Sequence, residues 1–129
     1  MAGYSGTPLV KKLGIKPASS LALIGAPTNF PRQLVGLSRD VKVTTRARGA
    51  ADLVVWFVTS RRALDARIAS IQALMQSGLW IAWPKKTSGM KSDLSEDQVR
   101  AAGLSHGLVD YKVCAIDEIW SGLKFARRR

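Results

Sequence analysis

Apolar residues along this chain fall into two patterns, short unbroken runs and stripes at spacings of three and four. The unbroken runs are Leu21–Ile24, closed by Gly25, then Leu53–Val58, then Leu79–Trp83. Short, wholly apolar runs are the form taken by strands buried on both faces of a helix-covered parallel sheet. Val41–Thr45 is rich in β-branched residues and reads as a further strand. The striped segments read as helices. They are Leu9 and Leu13; Phe30, Leu34 and Leu37; and Leu64, Ile68, Ile71 and Met75, with Arg61, Arg67 and Gln72 on other faces.

Local chemistry punctuates these segments. Thr7 is placed to cap a short helix over Pro8–Leu13, with proline suiting its first position and Gly14 its left-handed stop. Ser60 is placed to cap the longest helix and Gly78 to end it. Ser95 and Gln98 have the spacing of a capping box, so a helix runs from Glu96 to about Ala102. Leu108–Ile116 and Leu123–Ala126 read as the two strands of a terminal hairpin.

The resulting order, αβαββαβαββ, predicts a single three-layer α/β domain over residues 1–126, with 127–129 as a frayed basic tail. Strands alternating with helices make it Rossmann-like: a mostly parallel sheet that ends in an antiparallel hairpin. One connection departs from that scheme. Between Thr45 and Leu53 there is no room for a crossover helix, which needs at least ~10–12 residues. An extended segment of that length reaches roughly 24 Å at ~3.4 Å per residue, enough to cross back over a short sheet. The alternative is an antiparallel Val41–Thr45 strand; we expect the crossing, and with it a trimmed sheet.

Composition adds bounds. The 129 residues are 47% hydrophobic and 22% charged, enough to give one domain its own core and contrary to disorder. No apolar stretch nears the ~20 residues of a membrane span, and no basic-then-apolar leader opens the chain. The single cysteine, Cys114, has no disulfide partner, so a reducing, cytoplasmic home is expected. Charge alters the picture more, because 20 Lys and Arg against 9 Asp and Glu leave a net +11. Such an excess favours anionic partners, from small ligands to nucleic acid. The cations are spread, however, as Lys11-Lys12, Arg46 with Arg48, Arg61-Arg62, Lys85-Lys86 and the tail. Scattered pairs also describe a solvated surface.

Two segments carry candidate chemistry. The turn Gly25-Ala26-Pro27-Thr28-Asn29 follows the first strand, where dinucleotide and S-adenosylmethionine folds bring backbone close to their cofactor. Only one glycine stands there, Pro27 removes an N–H, and Val43-Thr44-Thr45-Arg46 holds no ribose-binding acid. Both halves of the cofactor fingerprint are therefore degraded. The loop Trp83-Pro84-Lys85-Lys86-Thr87-Ser88-Gly89 follows the fourth core strand, and open parallel sheets bind ligands beyond their carboxyl ends. Lys85, Lys86, Thr87 and Ser88 have the charge and hydroxyls to surround a phosphate or carboxylate, with Trp83 as a stacking wall. The bland alternative is a solvated loop with Trp83 in the core.

The remaining reactive residues read as structural. Cys114 lies in an apolar strand, and nothing orients His106, eight positions earlier, as its base. Asp117 and Glu118 would diverge on a strand, which suits a salt bridge to Lys112 or an arginine better than paired acid–base work. No metal-ligand spacing is present. Of the four tryptophans, Trp56 reads as core and Trp80 and Trp83 point to opposite faces. Only Trp83 and Trp120 are placed to stack on single-stranded nucleic acid.

Three words carry a likeness to a known group. They are Tyr4-Ser5-Gly6-Thr7-Pro8-Leu9 with Lys11-Lys12-Leu13-Gly14, then Trp83-Pro84-Lys85-Lys86, then Val113-Cys114-Ala115-Ile116-Asp117 with Trp120-Ser121-Gly122. In them the chain resembles, over almost its whole length, a bacterial family of small stand-alone proteins known as a domain of unknown function. The resemblance implies a bacterial cytoplasmic protein with a methyltransferase-like α/β outline, and it implies no activity.

Three functions are compatible with these observations. The first is a non-catalytic, regulatory or accessory domain that holds a small anionic ligand between Gly25, Thr28 and Asn29 and the loop Trp83, Lys85, Lys86, Thr87 and Ser88. The second is a nucleic-acid-binding protein that uses the overall positive field. The third is a divergent S-adenosylmethionine-dependent enzyme. No catalytic residue and no resident cofactor is assigned; S-adenosylmethionine and nucleotides remain candidate ligands.

Overall fold

The computed structural model describes residues 7–128; Tyr4–Gly6 of the first word above and Arg129 of the tail lie outside the described residues. The elements are α1 (Leu9–Leu13), β1 (Ser20–Ile24), β2 (Lys42–Thr44), β3 (Ala51–Phe57), α2 (Arg61–Gln72), β4 (Met75–Pro84), α3 (Glu96–Ser105), β5 (Leu108–Ala115) and β6 (Trp120–Arg127). Single 3₁₀ turns stand at Pro31–Gln33 and Lys86–Ser88.

The six strands form one sheet in the order β2-β1-β3-β4-β6-β5. β1 to β4 are parallel, and β6 enters antiparallel between β4 and β5. The expected three-layer, mostly parallel α/β fold with a terminal hairpin is therefore present. Alternation within the apolar runs explains the layers. Ala22, Ile24, Val54, Trp56, Val58, Leu79, Ile81 and Trp83 face α2 and α3. Leu21, Leu23, Leu53, Val55, Phe57, Trp80 and Ala82 face α1 and the loop after β1. Successive side chains of a strand point to opposite faces, so an unbroken run feeds both cores at once.

The second face has the thinner cover. α1 is only five residues long, and it is tied down where the buried indole Nε1 of Trp80 donates to Leu13 O at 2.9 Å. Phe30 and Leu34 are buried beside it, but the expected amphipathic helix over Phe30–Leu37 is a single 3₁₀ turn. Leu34 leaves helical geometry at ψ 57°, and Gly36 takes φ +86°, which breaks any helix there.

The link after β2 resolves as the extended crossing. β2 is parallel to β1 and β3 lies on β1's other side, with residues 45–50 between them. A three-residue strand rises about 10 Å and passing one strand adds about 10 Å, within reach of six extended residues at ~3.4 Å each.

Four boundaries differ from the sequence reading. Thr7 does not cap α1; Pro8 holds the N-cap position and no side chain caps the helix. α2 ends at Gln72, and Met75 begins β4 by pairing with Ala51, so Gly78 lies inside a strand opposite Leu53 and not at a helix stop. α3 continues to Ser105, where Gly107 at φ +76° turns the chain into β5. β6 runs to Arg127, whose guanidinium donates to Gln72 O and Met75 O, so the described part of the tail is anchored.

Candidate functional site

The chain leaves β1 toward β2 on one side and returns to β3 on the other, so the sheet's topological switch point lies at β1. Ligands of open α/β sheets bind outside the strand carboxyl ends at such a point. Gly25 stands there at φ +70°, and a Cβ on it would come within 2.8 Å of Phe57 O. The glycine is thus required by close approach of the β1 and β3 exits, whatever else it serves. Beside it opens a hollow of about 420 Å³ bounded by Leu23, Gly25, Ala26, Pro27, Thr28 and Pro31, with Thr45 at the end of β2. Its walls are mostly apolar, and the polar side chains are two threonines. Asn29 is exposed and does not line it.

A second hollow of about 460 Å³ lies beyond β4. Trp83, Lys85 and Lys86 meet Ser95, Glu96 and Asp97 of the α3 N-terminus there, with Ser121 of β6. Trp83 is only 5% exposed and packs in the core, so it offers little face for stacking. Lys85 N donates to Ile119 O at 2.7 Å, which joins the loop to the β5–β6 turn. The Ser88 hydroxyl accepts from Met90 N, and Thr87 and Ser88 do not line the hollow. Ser95 and Gln98 cap α3 reciprocally, as their spacing predicts. Arg100 holds Glu96 at 2.6 Å and Asp97 at 3.3 Å. Neither Lys85 nor Lys86 joins an ion pair among the described residues.

The two candidate segments therefore share the carboxyl edge but not a pocket. Their hollows have no lining residue in common. Sequence reasoning missed Thr45, Ser95 and Ser121 as lining residues. Thr45 had a signal, because it occupies the place where an acid is expected; Ser121 had none, because its position depends on β6 pairing with β4.

The other reactive residues line neither hollow. Burial pushes the Cys114 thiol up, opposed by Lys12, Lys112 and Lys124, which disfavours a thiolate. His106 ends α3 with Nδ1 3.0 Å from Ala102 O, and most of β5 separates it from Cys114. At ~3.4 Å per residue that strand sets the pair about 25 Å apart, too far for a dyad. Asp117 is structural, but its partners are not cations. Its Oδ1 accepts from Ile119 N and Trp120 N at 2.8 Å each, and Oδ2 accepts from Gln33 Nε2. Trp120 is 4% exposed, so neither it nor Trp83 is a free stacking surface. Among the described residues no group of acids, histidines or cysteines could hold a metal, and no helix is long and apolar enough to cross a membrane.

No protein-family model matches the chain, and no curated protein matches it in sequence. Solved structures do match in fold. An S-adenosylmethionine-dependent methyltransferase from Aquifex aeolicus superposes with a TM-score of 0.66 at 13% identity, covering 91% of this chain and 86% of that one. Magnesium protoporphyrin IX methyltransferase from Synechocystis, solved with S-adenosylhomocysteine, gives 0.63 at 12% identity over 92% and 78%. The ribosomal protein L11 methylase from Lactobacillus delbrueckii gives 0.57 at 12% identity over 94% and 76%. The fold of this chain is that of the S-adenosylmethionine-dependent methyltransferases.

Proposed function

We propose that this chain is a ligand-binding protein built on the methyltransferase fold, taking an adenosyl ligand in the hollow beside Gly25. The observation that carries this reading is the hollow itself, which opens at the topological switch point of a sheet shared with enzymes of that cofactor. Leu23, Ala26, Pro27 and Pro31 supply the apolar walls that a purine needs, and the Thr28 and Thr45 hydroxyls supply polar contact.

The fit is partial. No carboxylate lines the hollow, so nothing there grips a ribose diol or balances the sulfonium of S-adenosylmethionine. No acid, base or nucleophile lines it either, and we derive no transfer step. The site suits the uncharged adenosyl portion, and a binding or regulatory role follows from it. Methyl transfer is the second reading, favoured by the extent of the superposition; conversion of labelled S-adenosylmethionine to S-adenosylhomocysteine in the presence of cell extract tests it.

Thermal unfolding with S-adenosylhomocysteine, S-adenosylmethionine, adenosine and ATP tests the main reading. S-adenosylhomocysteine, which lacks the sulfonium, is expected to stabilise at least as well as S-adenosylmethionine. At tenfold its Kd a ligand adds about 1.4 kcal/mol, roughly 5 °C for a domain of this size. Thr45→Asp is expected to shift the preference toward S-adenosylmethionine. Absence of stabilisation by every adenosyl compound at millimolar concentration rejects the proposal.

A further inference from the structure

A further cavity lies at the opposite, amino edge of the sheet. It measures about 390 Å³ and is walled by the Gly14–Ser19 turn, the start of β3, Ser77 and Gly78 of β4, Tyr111 and Lys124. We propose that this cavity binds a small organic anion, a phosphate or carboxylate on a compact apolar body, with Lys124 as the central cation.

The lysines make the case. Lys124 on β6 stands directly across the ladder from Lys112 on β5, and like charges so placed repel. Lys16 lines the same cavity. The Lys124 ammonium is half-buried, between the rings of Trp80 at 5.7 Å and Tyr111 at 5.8 Å. Its one hydrogen bond in the described structure runs to Leu13 O at 3.1 Å, which leaves two N–H groups for a ligand. Burial, then Lys112 and Lys16, pull its proton affinity down, and a bound anion would act against the repulsion from the two neighbouring lysines.

Space has been kept for this arrangement. A Cβ on Gly14, which sits at φ +79°, would fall 2.6 Å from Lys124 Nζ. A Cβ on Gly78 would fall 3.1 Å from Lys124 Cε and 3.6 Å from the Tyr111 hydroxyl. The lining carboxylate, Asp52, is already engaged, because its Oδ2 accepts from the Ser20 amide at 2.9 Å and the Ser20 hydroxyl at 3.2 Å. Capping α1 explains why Lys124 and Lys112 reach Leu13 O and Lys12 O, but it does not explain the void beside them. Leu53, Pro17 and Ala18 give that void its apolar side.

Binding of phenyl phosphate, benzoate and inorganic phosphate, each against chloride at matched ionic strength, tests the proposal by thermal shift and by amide chemical-shift mapping. Phenyl phosphate is expected to bind at least about threefold tighter than inorganic phosphate, because its ring fills the apolar side. Benzoate against phenyl phosphate tells a carboxylate site from a phosphate site. Lys124→Met keeps the packed stem and removes the charge, and is expected to weaken binding by about tenfold or more. Lys85→Met/Lys86→Met at the other edge is expected to leave it unchanged. Should Lys124→Met fail to fold, Lys16→Met replaces it, with shifts in the wild type expected at Gly14, Ser77, Gly78 and Tyr111. Equal stabilisation by chloride, undiminished binding in Lys124→Met or Lys16→Met, or shifts confined to Lys85–Ser88 would overturn the proposal. This site shares no residue with the hollow beside Gly25, so either proposal stands or falls alone.

Discussion

Gly103 shows how a residue's neighbours outweigh its propensity. It sits inside α3, where alanine is worth about 1 kcal/mol more than glycine. Yet a Cβ there would run into the ring of Phe125, which is fully buried. Overpacking of this kind costs about 1–3 kcal/mol, so Gly103→Ala is expected to destabilise despite the gain in helix propensity. Urea denaturation measures it, and a rise in midpoint would show that α3 and β6 separate easily. Asp117 makes the same point with polar groups. A carboxylate that sequence suggests for a salt bridge instead accepts two backbone amides and closes the β5–β6 turn.

At the scale of elements, α3 is the best-specified helix of the fold. Its N-terminus carries the Ser95–Gln98 box, Glu96 and Asp97 in the first turn, and Arg100 bridging them to Asp110 of β5 at 2.9 Å. Negative charge near a helix N-terminus and cation pairing one turn on act in the same direction. Removing the cap hydroxyl with Ser95→Ala is expected to cost about 1 kcal/mol. The same change should loosen the wall of the Lys85–Lys86 hollow, because Ser95 lines both. Guanidinium titration reads the first effect and amide exchange at residues 95–98 the second; unchanged exchange would uncouple the cap from the hollow. α1 has neither a side-chain cap nor an acid in its first turn. It holds because Trp80, Lys112 and Lys124 donate to its last carbonyls from the sheet.

For the whole molecule, the net charge of +11 is unevenly balanced. The ion pairs among the described residues all involve Arg61 or Arg100, on the face covered by α2 and α3. Lys16, Lys112 and Lys124 gather on the other face, around the cavity at the amino edge. Screening therefore weakens more repulsion than attraction. Raising sodium chloride from about 0.05 to 0.5 M shortens the Debye length several-fold and is expected to raise Tm by a few degrees. A fall in Tm would mean that the Arg61 and Arg100 pairs dominate.

Local residues were enough to mark the central apolar strands at Leu21–Ile24, Leu53–Val58 and Leu79–Trp83, their two-faced burial, the caps at Ser60 and Ser95 and the stop at Gly14. Each of these depends on residues within a few positions of one another. The sequence also located both carboxyl-edge segments, because strand ends are legible from where an apolar run stops. Tertiary structure alone decided what depends on distant partners. Met75 joins β4 because Ala51 pairs with it, and Gly78 serves Lys124 across the sheet. The Gly25 and Lys85 segments open separate hollows because the ends of β1 and β4 are held apart by β3. The lysines brought together at the amino edge come from the turn after α1, from β5 and from β6, more than a hundred positions apart at the extreme. No local pattern records that meeting, because strand pairing between β5, β6 and β4 creates it.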